Sequence, residues 1–157
     1  MSSTPSYQNG ELRFAAFHPE EMPFTVRITK AQLLYWAKLG EWRLRELQVS
    51  VWEVLTRPHA IFEGLRKEED EHKGPNGAGW WCYAGIPSTR FLDYGGGARK
   101  PNDFEVFLVF VTDQNVAYNI RWEKVENNFA WIRDEHPERF RRQLYLNLEN
   151  KVDHNDR

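Results

Sequence analysis

The sequence predicts an α+β domain, and three observations predict it. The run FEVFLVFV, within Phe104 to Thr112, is almost continuously apolar, as in a central strand buried on both faces. It is followed by the turn residues Asp113-Gln114-Asn115 and a second strand-like run, Val116 to Glu123, so the two form an antiparallel hairpin. Thr29, followed three residues later by Gln32, is a capping box: its hydroxyl can accept from the Gln32 N–H at the head of a helix. A chain of 157 residues with 15% aromatics suits one domain with a sizeable core, since each aromatic side chain buries about 150–250 Å².

Taken in order, residues 1–10, mostly Ser, Thr, Pro, Gln, Asn and Gly with one Tyr, read as a disordered start. Leu12 to Phe17 and Phe24 to Ile28 read as strands, the second with Phe24, Val26 and Ile28 on one face. His18 to Pro23, with two prolines and two glutamates, is the loop between them. The helix opened by Thr29 is expected to run to Leu39, packing Leu33, Trp36 and Ala37 on the sheet, with Gly40 as its stop. Glu41 to Thr56 reads as an extended piece and a short turn, although Leu44, Leu47, Val51, Val54 and Leu55 also follow helical spacing. Pro58 then suits the first position of a helix that buries Ile61, Phe62 and Leu65 and ends near Arg66 and Lys67.

Residues 68–79 are charged and then Gly-rich, and read as a loop. Trp80 to Ile86 is a short strand ended by Pro87, and Ser88 to Asp103, with Gly95-Gly96-Gly97, is a long irregular segment. Irregular segments of that length inside a domain are usually functional or mobile, which makes this loop the expected rim of a site. On the returning strand, simple alternation puts Val116, Tyr118, Ile120 and Trp122 on one face and Ala117, Asn119, Arg121 and Glu123 on the other. Pro137 is placed to open a last helix with Phe140, Leu144 and Leu148 at i, i+4 and i+8. One domain over 11–150 and a frayed tail over 151–157 are expected.

A net charge of −2 with pI near 6.2 argues against a surface that grips nucleic acid everywhere, while a local positive cleft remains open. The single cysteine, Cys82, has no partner for a disulfide or a Cys-based zinc site, and between Trp81 and Tyr83 it reads as a buried, inert thiol. The five histidines show no metal spacing, and no P-loop, nucleophile elbow or dinucleotide fingerprint occurs, so neither metal nor cofactor is expected. With no leader-like start and no apolar run of membrane-spanning length, the expectation is a cytoplasmic protein with no membrane partner.

Residues that could carry chemistry gather around the hairpin. Asn119 and Arg121 are placed together on one strand face, with Tyr83 and Arg90 on or just after a neighbouring strand; Tyr83 and Asn119 are the ligand-binding candidates. Arg on a rigid sheet is what stabilising a developing phosphorane-like charge requires, while the competing reading pairs Arg121 with Glu123 or Glu105 on a solvated face. Gly95 to Gly97 with Arg99 and Lys100 could cradle a phosphate or be a plain flexible loop. His59, after Pro58, is expected at a helix start where the dipole would depress its pKa.

From Val51 to Val125 the order of parts resembles the barnase/RelE-like (BECR) nuclease fold. The matching parts are "LTRPHAIFEGLRK", "WWCYAGIP", a long loop, "FEVFLVFV" and "VAYNIRWEKV". The resemblance implies a small curved antiparallel sheet with helices packed on one face and RNA cut in the cleft on the other. It implies Arg90, Lys100, Tyr118 and Arg121 as the catalytic set of a metal-independent endoribonuclease of toxin or phage-related kind, with His59 as general base. RNA would be the substrate and a protein inhibitor a partner. Two departures are plain: the chain is net acidic, and the last strands carry no histidine, so Tyr118 or Lys100 would have to move the proton. The alternative is a non-catalytic binding or scaffold domain whose tryptophans line a groove for a peptide or small ligand.

Overall fold

The computed structural model describes residues 5–65, 79–91 and 103–149, which form two antiparallel sheets and three helices. The α+β class stands, and a second sheet joins the one anticipated. The first sheet has three strands, β1 (Ser6–Gln8), β2 (Glu11–Ala16) and β3 (Phe24–Ile28). Residues Pro5 to Gly10, anticipated as disordered, open this sheet: Gln8 pairs with Glu11 across Asn9-Gly10, both at positive φ. That is the two-residue turn whose twist suits a hairpin, and Asn-Gly is its commonest sequence. β2 and β3 alternate as anticipated, burying Leu12, Phe14 and Ala16 against Phe24, Val26 and Ile28.

Helix α1 (Lys30–Ala37) starts as anticipated, with Thr29 accepting from the Gln32 N–H at 3.2 Å. The chain reverses at Gly40, at φ 106°, and enters α2 (Glu41–Thr56), sixteen residues anticipated as extended. The helical spacing of Leu47, Val51, Val54 and Leu55 prevails because those four pack on the sheet. Burying each is worth roughly 1.5–3 kcal/mol, more than the β propensity of the valines. The same helix also buries Glu46, Ser50 and Glu53, polar residues that dilute its apolar face and hide it from a hydropathy reading.

The second sheet has strand order β7-β6-β5-β4-β8, formed by β4 (Ala60–Leu65), β5 (Gly79–Gly85), β6 (Glu105–Thr112), β7 (Ala117–Lys124) and β8 (Phe140–Leu146). The hairpin β6–β7 and strand β5 were legible. Two strands were anticipated as helices. β4 replaces the helix after Pro58: Ala60, Ile61 and Phe62 are buried on alternate faces, and a strand covered on both sides shows no alternation. β8 replaces the last helix, and α3 (Asn128–Arg133), capped by Asn127 through the Ala130 N–H, precedes it.

One face of the five-stranded sheet packs against α2 and the first sheet, through Ile61, Tyr83, Phe107 and Val109 with Phe14, Val26, Trp36 and Val54. The other face holds Phe62, Cys82, Leu108, Phe110 and Phe140 beneath Ile132 of α3, so helices lie on both sides of this sheet. Cys82 is a buried thiol outside any disulfide, as expected.

Candidate functional site

The two sheets touch where β3 meets the start of β7: the Arg27 N–H donates to the Asn115 carbonyl at 2.9 Å, and Arg27 bridges Val116. Beyond that point they diverge, because β3 ends at Ile28 and the chain turns into α1 while β7, an edge strand, runs on from Ala117. A cleft of about 430 Å³ opens in the gap, lined by Thr29, Ala31, Gln32 and Tyr35 from the α1 side and by Val116, Ala117 and Tyr118 from β7. No side chain lining it carries a charge at neutral pH.

This cleft continues onto a helix face that the fold leaves uncovered. Among the α1 residues only Trp36 is buried, at 2% exposure, although Ala31, Leu33, Leu34, Tyr35 and Ala37 are apolar or aromatic. Ala31, Leu34, Tyr35 and Lys38, at i, i+3, i+4 and i+7, share the outward face. Leu34 is 56% and Tyr35 59% exposed, and at the α1–α2 corner Leu39 and Trp42 extend the uncovered surface, Trp42 being 72% exposed. A helix whose apolar residues spread beyond one stripe is normally buried on more than one side; this one is not.

The residues anticipated as catalytic are arranged differently. Pairing of β6 with β7 slips between Leu108 and Phe110, and Asn119 sits at the slip with φ 49°. This bulge breaks the alternation, so Tyr118 leaves the Ile120 and Trp122 face and joins Arg121 and Glu123 on the other. Tyr118 and Arg121 are thus brought to one face, both against the Phe110 ring: the Tyr118 ring stands edge-on at 5.9 Å and the Arg121 guanidinium lies 5.1 Å from its centre.

Arg121 is held there by a carboxylate. Its Nη2 lies 2.7 Å from Glu123 Oε1, and Nη1 donates to the Asn119 carbonyl at 3.3 Å. Arg139 binds the same carboxylate with two nitrogens, at 2.7 and 2.9 Å, and packs among Phe110, Trp131 and Phe140. Burial alone would raise the Glu123 pKa; hydrogen bonds and charge from Arg139 and Arg121 outweigh it and hold the carboxyl below the usual range. The pairing weighed against a phosphate-binding role is the one present.

The remaining candidates are dispersed. Tyr83 is wholly buried on the α2 face, its hydroxyl donating to the Phe17 carbonyl at 2.6 Å. Burial first, and Glu21 second, push its pKa far above the ordinary value, so it is a core donor and not a surface ligand group. His59 lies between α2 and β4, near the C-terminal end of a helix and not at the N-terminus anticipated, and it is buried, with Nδ1 accepting from the Ile86 N–H at 3.4 Å. Its neighbour Ala60 shares a row with Ala84, Leu108 and Arg121, three strand spacings and roughly 14 Å from the last, beyond any shared proton. Arg90 belongs to a short 3-10 turn, Ser88–Phe91, and its side chain lies outside the described residues, as does Lys100. α2 anchors the head of that turn: Glu53 accepts from the Ser88 hydroxyl at 2.7 Å and from its N–H at 3.2 Å, and Ser50 and Thr89 share a hydrogen bond of 2.5 Å.

No protein-family model, curated protein or solved structure matches this chain. Its site therefore rests on its own geometry. Among the described residues, no group of three or more His, Cys, Asp or Glu could hold a metal ion, and no helix is long and apolar enough to cross a membrane. A second cleft, of about 580 Å³, lies outside α3 and is lined by Glu126, Asn127, Ala130, Trp131, Arg133 and Asp134, two carboxylates to one guanidinium. Neither cleft is positive.

Sequence reasoning missed Gln32 and Tyr35 as site residues, although the signal was present: six of the eight residues of KAQLLYWA are apolar or aromatic, more than one buried face requires. It also missed His18. That ring is 2% exposed, its Nδ1 accepts from the N–H groups of Glu20 and Glu21 at 3.1 Å each, and it packs on Phe24 and Trp81. Burial lowers its pKa against the opposing pull of Glu21, Glu20 and Glu63.

Proposed function

We propose that this chain is a non-catalytic binding domain whose ligand is a peptide segment of another protein, seated in the α1–β7 cleft and on the outer face of α1. The observation that carries this reading is the uncovered apolar surface of α1, continuous through Ala31 and Tyr35 with the cleft. Exposed apolar surface that adjoins a cleft is a mark of an interaction site. A peptide suits it better than a small molecule: Tyr35 is a half-exposed wall, whereas pockets for small ligands enclose 70–90% of the ligand surface. The ribonuclease reading has less support, because Arg121 serves Glu123 and neither cleft offers the cationic track that a phosphate backbone follows.

The test is selection from a displayed library of random twelve-residue peptides, followed by titration of the selected peptide into isotopically labelled protein. Shifts at Gln32, Tyr35 and Ala117, abolished by Tyr35→Ser, are expected. A parallel incubation with a mixed RNA pool decides the rival reading: cleavage by the wild-type protein that disappears in Arg121→Ala would overturn the binding role.

A further inference from the structure

We infer that the segment taken by this face is acidic as well as apolar: an amphipathic stretch carrying carboxylates on either side of its apolar anchors. This rests on the binding reading above and specifies its partner. Lys30, Leu34 and Lys38 stand at i, i+4 and i+8, so two exposed ammonium groups bracket Leu34 along the helix, about 12 Å apart at 1.5 Å rise per residue. Among the described residues no carboxylate pairs with either lysine, and both are open to a partner's carboxylates. The aliphatic stem of Lys30 lies over Gly10, where an added Cβ would stand 3.1 Å from Lys30 Cδ, so the small turn of the first hairpin seats one of the two cations.

The charge of α1 points the same way. Between Lys30 and Lys38 stand two cations and no carboxylate, a net +2 in a chain whose total is −2, which leaves −4 for the rest. That distribution argues against a second copy of the chain as occupant. Packing α1 on α1 would bring Lys30 and Lys38 of both molecules to one seam, and α1 has no acidic residue to answer them. It favours a partner with complementary carboxylates, which steer encounter and fix register while Leu34, Tyr35 and the cleft supply the apolar contact. A single-stranded nucleic acid fits less well: the cations flank the cleft without lining it, so no continuous cationic track follows it.

Three synthetic twelve-residue peptides test the inference, identical in their Leu and Phe anchors and carrying Glu, Gln or Lys between them. Binding is read by titration at low salt and at 0.5 M NaCl, with poly(U) RNA as a fourth probe. The Glu peptide is expected to bind roughly tenfold more tightly than the Gln peptide at low salt, to lose that advantage at high salt, and to shift Tyr35 and Ala117. Lys30→Glu/Lys38→Glu, two exposed positions that leave the fold intact, is expected to reverse the order in favour of the Lys peptide. Equal affinity of all three peptides at this face would overturn the acidic preference and leave the binding domain standing. Absence of any shift on α1 or β7 with every peptide would overturn both. Tighter binding of poly(U) than of the Glu peptide, or a self-association that Leu34→Asp abolishes, would replace the acidic segment with nucleic acid or with a second copy.

Discussion

The Arg121–Glu123–Arg139 cluster and the outer face of α1 are opposites. The first is rich in the groups associated with chemistry, yet its charges and rings are turned on one another: one carboxylate holds two guanidiniums, and aromatic rings surround them. The second has almost no reactive groups, yet it leaves apolar surface and two lysines without internal partners among the described residues. A group already satisfied within the fold contributes to stability; a group left unsatisfied is available to something else. Function is better sought where the protein leaves its surface incomplete than where its residues look most chemical.

That contrast can be broken by substitution, and the largest effect is expected in the cluster. Glu123→Gln should cost about 2–3 kcal/mol in denaturant unfolding, since it leaves two partly buried guanidiniums sharing a neutral amide. The same variant should retain peptide binding once folded. If it unfolds no more easily than the wild type, the cluster is not structural and Arg121 returns as a candidate for substrate contact. Asn119→Val should cost about 1–2 kcal/mol, because a β-branched residue is strained at φ 49° and the bulge that orients Tyr118 would shift. A cleft lined by Tyr118 should register that shift as weaker binding.

A third prediction concerns pH. Burial holds the folded-state pKa of His18 below the ordinary 6.5 of a histidine, so the unfolded chain binds the extra proton more readily. Stability should therefore fall as pH drops below about 6.5, until the folded-state pKa is also passed, and this part of the slope should vanish in His18→Gln. Unfolding curves at pH 7 and 5.5 measure it, with amide exchange at Glu20 and Glu21 reporting the two hydrogen bonds that protonation would break. The smallest effect belongs to the other region. Leu34→Ser should change stability by less than about 0.5 kcal/mol, since the side chain is already in water, while weakening peptide binding several-fold. A large loss of stability there would show that α1 is part of the core and its exposed face is no site.

The hairpin β6–β7, strand β5, the β2–β3 pair and the head of α1 were legible because local pattern and tertiary packing agree there. β8 was not: Phe140, Leu144 and Leu148 are spaced by four, which suits a helical stripe, whereas a bulge opposite Ile61 and Phe62 sends Phe140 and Leu144 to opposite faces of the sheet and Leu148 lies past the end of the strand. β4 hid because both its faces are covered, and the Asn-Gly turn hid because the residues around it are polar. The candidate site was half visible. Tyr118 was singled out for chemistry and proves to line a cleft, whereas the wall formed by Gln32 and Tyr35 depends on where β3 and β7 part, and no local pattern encodes that.

The buried polar side chains of α2 bear on more than the elements they touch. Apolar contacts are forgiving of direction, and a helix resting on a sheet through Leu47, Val51, Val54 and Leu55 alone could roll about its axis by some degrees at little cost. Glu46 takes the Trp122 indole N–H at 2.9 Å, Glu53 takes the Ser88 hydroxyl, and Ser50 meets Thr89 between them. Three directional contacts along one line set the rotational phase of the helix, as teeth do for a gear. Because only three residues, Lys38 to Gly40, join α1 to α2, that phase also sets the direction in which Leu34 and Tyr35 face. The orientation of the outer surface is thus referenced to hydrogen bonds in the interior.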